Sequence, residues 1–282
     1  MVVAPLTLSS LALATLVVAA LPFVIYRRLR RPLALKPRPA IAGIAVFALF
    51  AMVIERALND YVLHRNEATA TFLSHPLAFV VYGALAAGIC EEVGRFIGMR
   101  LLIKRASARA AATPASAQQT PRTDDGTALA YGLGHGGAEA WLVGVMVQVQ
   151  WILFAVFENR GQLDSYLSNL PTESLMRIHL ILASLTPQTA GIFALERIAA
   201  LVFQIGLSVL MWRGLRAGWR GILPLAIALH ALVDVPAALF QAQLVPLAAV
   251  DAVYALAAVV VVGLLFKTLR RPVADAVTEL PR

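Results

Sequence analysis

The chain has 282 residues, of which 60% are hydrophobic and only 14% charged, with a formal net charge of +8. Soluble domains average about 45–50% apolar and about 25% charged residues, so this composition excludes an ordinary soluble protein and points to an integral membrane protein. The excess of Lys and Arg does not indicate nucleic acid, because these residues gather at the ends of apolar runs, where they orient membrane segments. The single cysteine, Cys90, excludes an internal disulfide.

A membrane-spanning helix needs about 20 apolar residues. Seven runs meet that length, at roughly 4–26, 40–62, 77–103, 127–156, 190–212, 221–243 and 246–266. The expectation is an all-α, polytopic transmembrane bundle forming one integral-membrane domain over 1–282. No basic stretch precedes the first run, so it reads as a span rather than a cleaved signal peptide. RRLRRPLALKPRP follows it, and together with the basic segments at 104–122, 213–220 and 267–282 it holds 17 of the 24 Lys and Arg. The opposite loops hold Arg56, Arg65, Arg160 and Arg177. The asymmetry predicts an N-terminus outside and a C-terminus in the cytoplasm. Residues 104–126 are rich in Ala, Ser, Thr and Pro and are expected to form a flexible cytoplasmic loop. LMRIHLILASLT (175–186) is too short to span and would break the charge parity, so it reads as interfacial or re-entrant.

Ionisable residues inside the runs are costly, roughly 2.5–3.5 kcal/mol each at the bilayer centre. The third run nevertheless holds Glu91, Glu92 and Arg95, the fourth His135 and Glu139, the fifth Glu196 and Arg197, the sixth His230 and Asp234, and the seventh Asp251. Counted along their helices at 1.5 Å per residue, Glu91, Glu92, His135, Glu139, His230 and Asp234 fall in one layer about 12–20 Å from the cytoplasmic edge. They must face one another or a water-filled cavity, which is expected to open to the cytoplasmic half. His135–Glu139 and His230–Asp234 are both i, i+4 pairs, which set a carboxylate beside each imidazole or offer two metal ligands. Glu92 and Arg95 are i, i+3 and can pair. Glu91 and Glu92 point about 100° apart, so only one of them aims at the cavity centre. The glycines of GLGHGG (132–137) leave His135 open to a neighbouring helix or to a substrate backbone. His64, His75 and His179 read as surface or interfacial, and Asp251 as a structural partner.

No HExxH, GxSxG or GxGD motif is present, which argues against site-2-type zinc, serine and aspartyl intramembrane proteases. Carboxylates and histidines remain, a set suited to activating water.

EEVGR, GLGHGGAEA and HALVD, on three successive landmark spans, resemble the YhfC family of intramembrane proteases, which is grouped with the CAAX-prenyl-protease/bacteriocin-processing and PrsW-type families. The resemblance covers about 40–265. It implies Glu91 as the catalytic glutamate, with Glu92, His135 and His230 as its catalytic companions and Arg95, Glu139, Glu196 and Asp234 in support. Two departures stand out. The arginine follows the glutamates one residue early, as EExxR, and Gln204 occupies a position where the resemblance implies histidine. The implied chemistry is peptide-bond hydrolysis: Glu91 deprotonates a water that His135 helps to hold, and His230 with Asp234 stabilises the oxyanion. The competing arrangement places zinc on His135, His230 and a carboxylate, with Glu139 and Asp234 as candidate ligands. Expected partners are a membrane-protein or peptide substrate and the lipid bilayer of a bacterial plasma membrane, with no nucleic acid. The alternative function is a transporter or self-immunity factor using the same buried polar cluster.

Overall fold

The computed structural model describes residues 2–112 and 125–269. Every regular element among them is helical. In chain order these are α1 (Pro5–Leu29), α2 (Pro37–Arg65), α3 (Glu67–Leu73), α4 (Pro76–Ala112), α5 (Asp125–Asn159), α6 (Leu163–Tyr166), α7 (Thr172–Ser184), α8 (Pro187–Arg216), α9 (Ile222–Gln241) and α10 (Leu247–Leu269). Seven of them, α1, α2, α4, α5, α8, α9 and α10, are long and apolar enough to cross a membrane. They coincide with the seven predicted runs to within a few residues, except that α4 continues nine residues beyond its run.

Local chemistry explains where they begin. α1, α2, α4 and α8 all start at a proline, whose fixed φ suits the first helical turn and whose missing N–H would have no partner there. At α8 the preceding Thr186 adds a capping box. Its hydroxyl accepts from the Thr189 N–H at 3.2 Å, and the Thr189 hydroxyl accepts from the Thr186 N–H at 3.0 Å. α7 has 13 residues, about 20 Å of helix, which is short of a bilayer core.

Two spans are not regular α-helix throughout. α2 contains π-helical turns at Phe50–Glu55 and Tyr61–Arg65, and α5 contains one at Ala140–Val145. A π turn fits an extra residue into the spiral and swings the side chains that follow, and such turns recur at functional sites.

The bundle has a basic end and an opposite end. The basic end holds the α1–α2 and α8–α9 connections, the C-terminal end of α4 and the start of α5, and the opposite end holds α3, α6, α7 and the α9–α10 turn. The largest apolar core lies in the basic half, where Met99 of α4, Leu129, Tyr131 and Leu133 of α5, Met211 and Trp212 of α8, and Ile222 and Ala226 of α9 are all buried. Close backbone approach seals that half. A Cβ on Gly134 of α5 would collide with the Ala40 carbonyl of α2, and one on Gly43 of α2 would lie 2.8 Å from the His135 nitrogen. Small residues let membrane helices approach in this way.

The expected loop over 104–126 needs revision at its start. α4 continues as helix to Ala112, because ALA-rich sequence (ASARAAA) is a strong helix former. The remainder, 113–124, lies outside the described residues.

Candidate functional site

Four helices bring the ionisable residues together. α4 supplies Glu91, Glu92 and Arg95; α5 supplies His135 and Glu139; α8 supplies Gln204 and Ser208; α9 supplies His230 and Asp234. Gly88 of α4 allows the α4–α9 approach, since a Cβ there would sit 3.2 Å from the Ala231 nitrogen and the Ile227 carbonyl oxygen. One turn further along, Glu92 meets His230.

The two adjacent glutamates have different surroundings. Glu92 is fully buried. The Arg95 Nε–H donates to its two oxygens at 3.1 and 2.9 Å, and His230 Nδ1 lies 2.8 Å from Oε1. Arg95, also fully buried, donates in addition to the Gln204 carbonyl at 3.2 Å, to the Ser208 hydroxyl and to the Gln204 side-chain oxygen. A buried guanidinium with all these acceptors satisfied is a rigid post.

Glu91 faces a cavity of about 590 Å³. Its Oε2 is held twice, by His135 Nε2 at 2.9 Å and by the Gln204 amide, which donates at 2.9 Å. Its Oε1 has no partner among the described side chains. Gln204 uses its second amide hydrogen on Glu139 Oε2 at 2.8 Å, and Arg197 stands 3.6 Å from the other Glu139 oxygen. His230 and Asp234 also line the cavity, with His230 Nε2 3.5 Å from Asp234 Oδ2.

His135 is fully buried, edge-on to Phe47 and stacked against Tyr131. Its Nδ1 has no hydrogen-bond partner. A buried lone pair is cheaper to leave unpaired here than a buried N–H, so the proton belongs on Nε2, where it donates to Glu91.

Several expectations change. His135 does not couple to Glu139 across its own helix turn; it bonds Glu91, and Glu139 turns to Gln204 and Arg197. His135 is fully enclosed, and its contact in the site is the glutamate. The glycines around it serve helix contact, with Gly134 against Ala40 and Gly136 against Gln204, and leave no opening for a substrate backbone. Glu92 does not line the cavity. Glu196 lies apart, in a second cavity of about 490 Å³ with Gln148, Arg197 and Tyr254; its neighbour Arg197 is the residue that reaches the site. The cavity also opens the other way. Its lining runs from Glu91, Gln204 and His230 out to Asn59, Leu63, Phe79 and Gln241, toward the end opposite the basic loops, because the basic half is filled by the apolar core.

Three contributors have no assigned role from the sequence alone. Gln204 stood out as a departure, yet it joins Glu91, Glu139 and Arg95. Ser208, four residues on, gave no signal because a hydroxyl in a span is common. Glu55, on the cavity wall, was hidden by its nearness to the end of its run.

The profile of the YhfC intramembrane metalloprotease family matches residues 17–255. The chain belongs to the YhfC family. A relative, "Uncharacterized membrane protein YhfC" of Bacillus subtilis (strain 168), is 35% identical over 230 residues, covering 81% of this chain and 83% of its own. With seven apolar helices, the chain is a multi-pass membrane protein. No solved structure matches.

The family description implies a metal, which the side chains can be tested against. Among the described residues, no group of three or more His, Cys, Asp or Glu is gathered so as to hold one. The candidate ligands are divided: His230 is engaged by Glu92 and stands 3.5 Å from Asp234, and Glu139 is engaged by Gln204 and Arg197. His135 spends Nε2 on Glu91, and its free Nδ1 faces a setting of Phe47 and Tyr131. Arg95 and the Gln204 amide supply the positive charge and the donors that the carboxylates require. This arrangement does not fit a metal ion.

Proposed function

We propose that this YhfC-family protein is an intramembrane endopeptidase of a bacterial plasma membrane, in which Glu91 activates water directly. The observation that carries the reading is the asymmetry of the Glu91 carboxylate. One oxygen is fixed by two N–H donors, and the other is unpartnered on the wall of a cavity large enough for a stretch of peptide. That is the geometry a general base needs.

The reaction follows from the positions. Glu91 Oε1 takes a proton from water as the water oxygen bonds to the scissile carbonyl carbon. The carbonyl electron pair moves onto oxygen, where an N–H of His230 stabilises it. The tetrahedral centre collapses, the C–N bond breaks, and the proton held by Glu91 passes to the leaving amine. His135 and Gln204 are positioning residues: they fix the base without touching substrate. Glu92 and Arg95 position His230 in the same sense. With the basic end in the cytoplasm, the cavity mouth faces the outer side, and the substrate reaches Glu91 from there.

The test is cleavage of a proteome-derived peptide library by the reconstituted protein, read by mass spectrometry. Glu91→Gln keeps the shape of the side chain and is expected to lower the rate by about 10²–10⁴-fold. Undiminished cleavage by that variant removes Glu91 from the mechanism. Metal content is measured beside it. Stoichiometric zinc, lost in both His135→Ala and His230→Ala, would replace the glutamate-water mechanism with a metallopeptidase.

A further inference from the structure

Four carboxylates line the cavity, and three have a counterpart within the protein. Glu91 has His135, Glu139 has Arg197, and Asp234 has His230. Glu55 has none: no Lys, Arg or His side-chain nitrogen among the described residues lies within 4 Å of its carboxylate oxygens, although Arg56 lines the same cavity. Its one partner is neutral, the Asn59 amide donating at 3.3 Å. Asn59 is itself fixed from α4, because the Tyr82 hydroxyl donates to its side-chain oxygen at 2.6 Å. An ionised Glu55 only accepts, so the Asn59 NH2 is assigned to Glu55 and its side-chain oxygen to the Tyr82 hydroxyl.

The backbone also presents Glu55. It closes the π turn at Phe50–Glu55, and Ala51, Met52 and Glu55 of that turn all line the cavity. A carboxylate in a span is expensive unless it pairs or faces water. Here it is braced by Asn59, which Tyr82 holds in turn, left without an ion-pair partner among the described residues, and set on the cavity wall.

We propose that Glu55 is a specificity-determining residue that binds a cationic side chain, Lys or Arg, of the peptide substrate. The proposal rests on the peptidase reading above and adds the substrate class. The helix sets the register. Phe47, which packs on His135 beside Glu91, lies eight residues before Glu55, at most about 12 Å at the α-helical 1.5 Å per residue, since the π turn shortens the rise. An extended peptide advances about 3.3 Å per residue. The basic residue therefore falls about two to four positions from the scissile bond.

The experiment uses N-acetylated peptides, so that side chains are the only cations. Pairs differ by Lys or Gln at each position on both sides of the scissile bond. They are tested for cleavage by the reconstituted wild type and Glu55→Gln, and for binding to both. In the wild type, Lys is expected to exceed Gln about tenfold at one position within that window, the size of a charge-assisted contact. Glu55→Gln removes the preference. Glu55→Lys, whose folding is checked by thermal stability, turns it toward Asp or Glu. Cleavage without a Lys preference, or with a preference that survives in Glu55→Gln, overturns the cation subsite and leaves the peptidase intact. Absence of cleavage with Lys-selective binding lost in Glu55→Gln keeps the subsite and removes the peptidase. Absence of both overturns both.

Discussion

The two halves of the bundle are built from the same spans and do opposite things. In the basic half, glycines bring backbones into contact and a continuous apolar core surrounds Tyr131, Met211 and Trp212. In the other half the helices part around about 590 Å³, and three π turns lie there or at its edge. The charged layer sits on the boundary. Packed residues on one side hold Arg95, Glu92 and His135 immobile, and the open side exposes Glu91, His230 and Asp234. A catalytic group in a membrane needs both conditions: rigid support from below and access from one direction.

The largest effect on stability is expected where the boundary rests on a single cation. Arg95→Leu leaves the Glu92 carboxylate buried with only His230, and breaking a buried pair in this way costs about 3–5 kcal/mol. Thermal unfolding in detergent should show a strongly destabilised protein. The double variant Arg95→Leu/Glu92→Leu should recover part of that loss, since it removes both charges. Equal stability of Arg95→Leu and wild type would mean that Arg95 is not the post on which the layer stands.

A smaller effect tests the packed half. Gly134→Ala puts a methyl into the Ala40 carbonyl and forces α2 and α5 apart, with overpacking costs of about 1–3 kcal/mol. Because Phe47 and Gly43 of α2 both touch the His135 region, the same substitution should lower turnover more than its stability loss accounts for. Gly191, with open space around its Cβ position, is the control, and Gly191→Ala should leave both measurements near wild type.

Much of this was legible in the sequence because membrane burial is unforgiving. Apolar length gave the seven spans, and the cost of burying charge required Glu91, Glu92, His135 and His230 to meet. Partner choice was not legible. His135 has Glu139 one turn away on its own helix, yet it bonds Glu91, because the Ala140–Val145 π turn follows Glu139 at once and Gln204 and Arg197 reach it from α8. The direction of opening was hidden for a related reason. Depth along a helix is read from residue number, but which half is filled depends on glycine contacts between spans far apart in the chain. Gln204 was visible only as a departure from a pattern, since a neutral amide costs less to bury than a charge and its need for partners does not say which ones.

The smallest predicted effect lies at the rim of the open half. His179 of α7 bridges Glu158 at 3.1 Å and Asp164 at 2.9 Å, tying the short helix to the end of α5 and to α6. The hydrogen bond to Glu158 is the leading cause that raises its pKa above the ordinary 6.5, with the bond to Asp164 adding to it. The protonated form is favoured by folding, so the contribution is complete below pH 6.5 and is lost as pH rises through the folded value. Thermal stability of the wild type should therefore decline on going up from about pH 6, relative to His179→Gln. Asp164 is 74% exposed, so water and salt screen its share, and added salt should shrink the difference between the two proteins. Under the proposed function, cleavage should not follow this titration, because α7 anchors the rim and contributes no side chain to the cavity that Glu91 faces. A cleavage profile that tracked the stability change would instead mean that the rim and the catalytic layer move as one body, and the division of the bundle into a fixed half and an open half would fail at its outer edge.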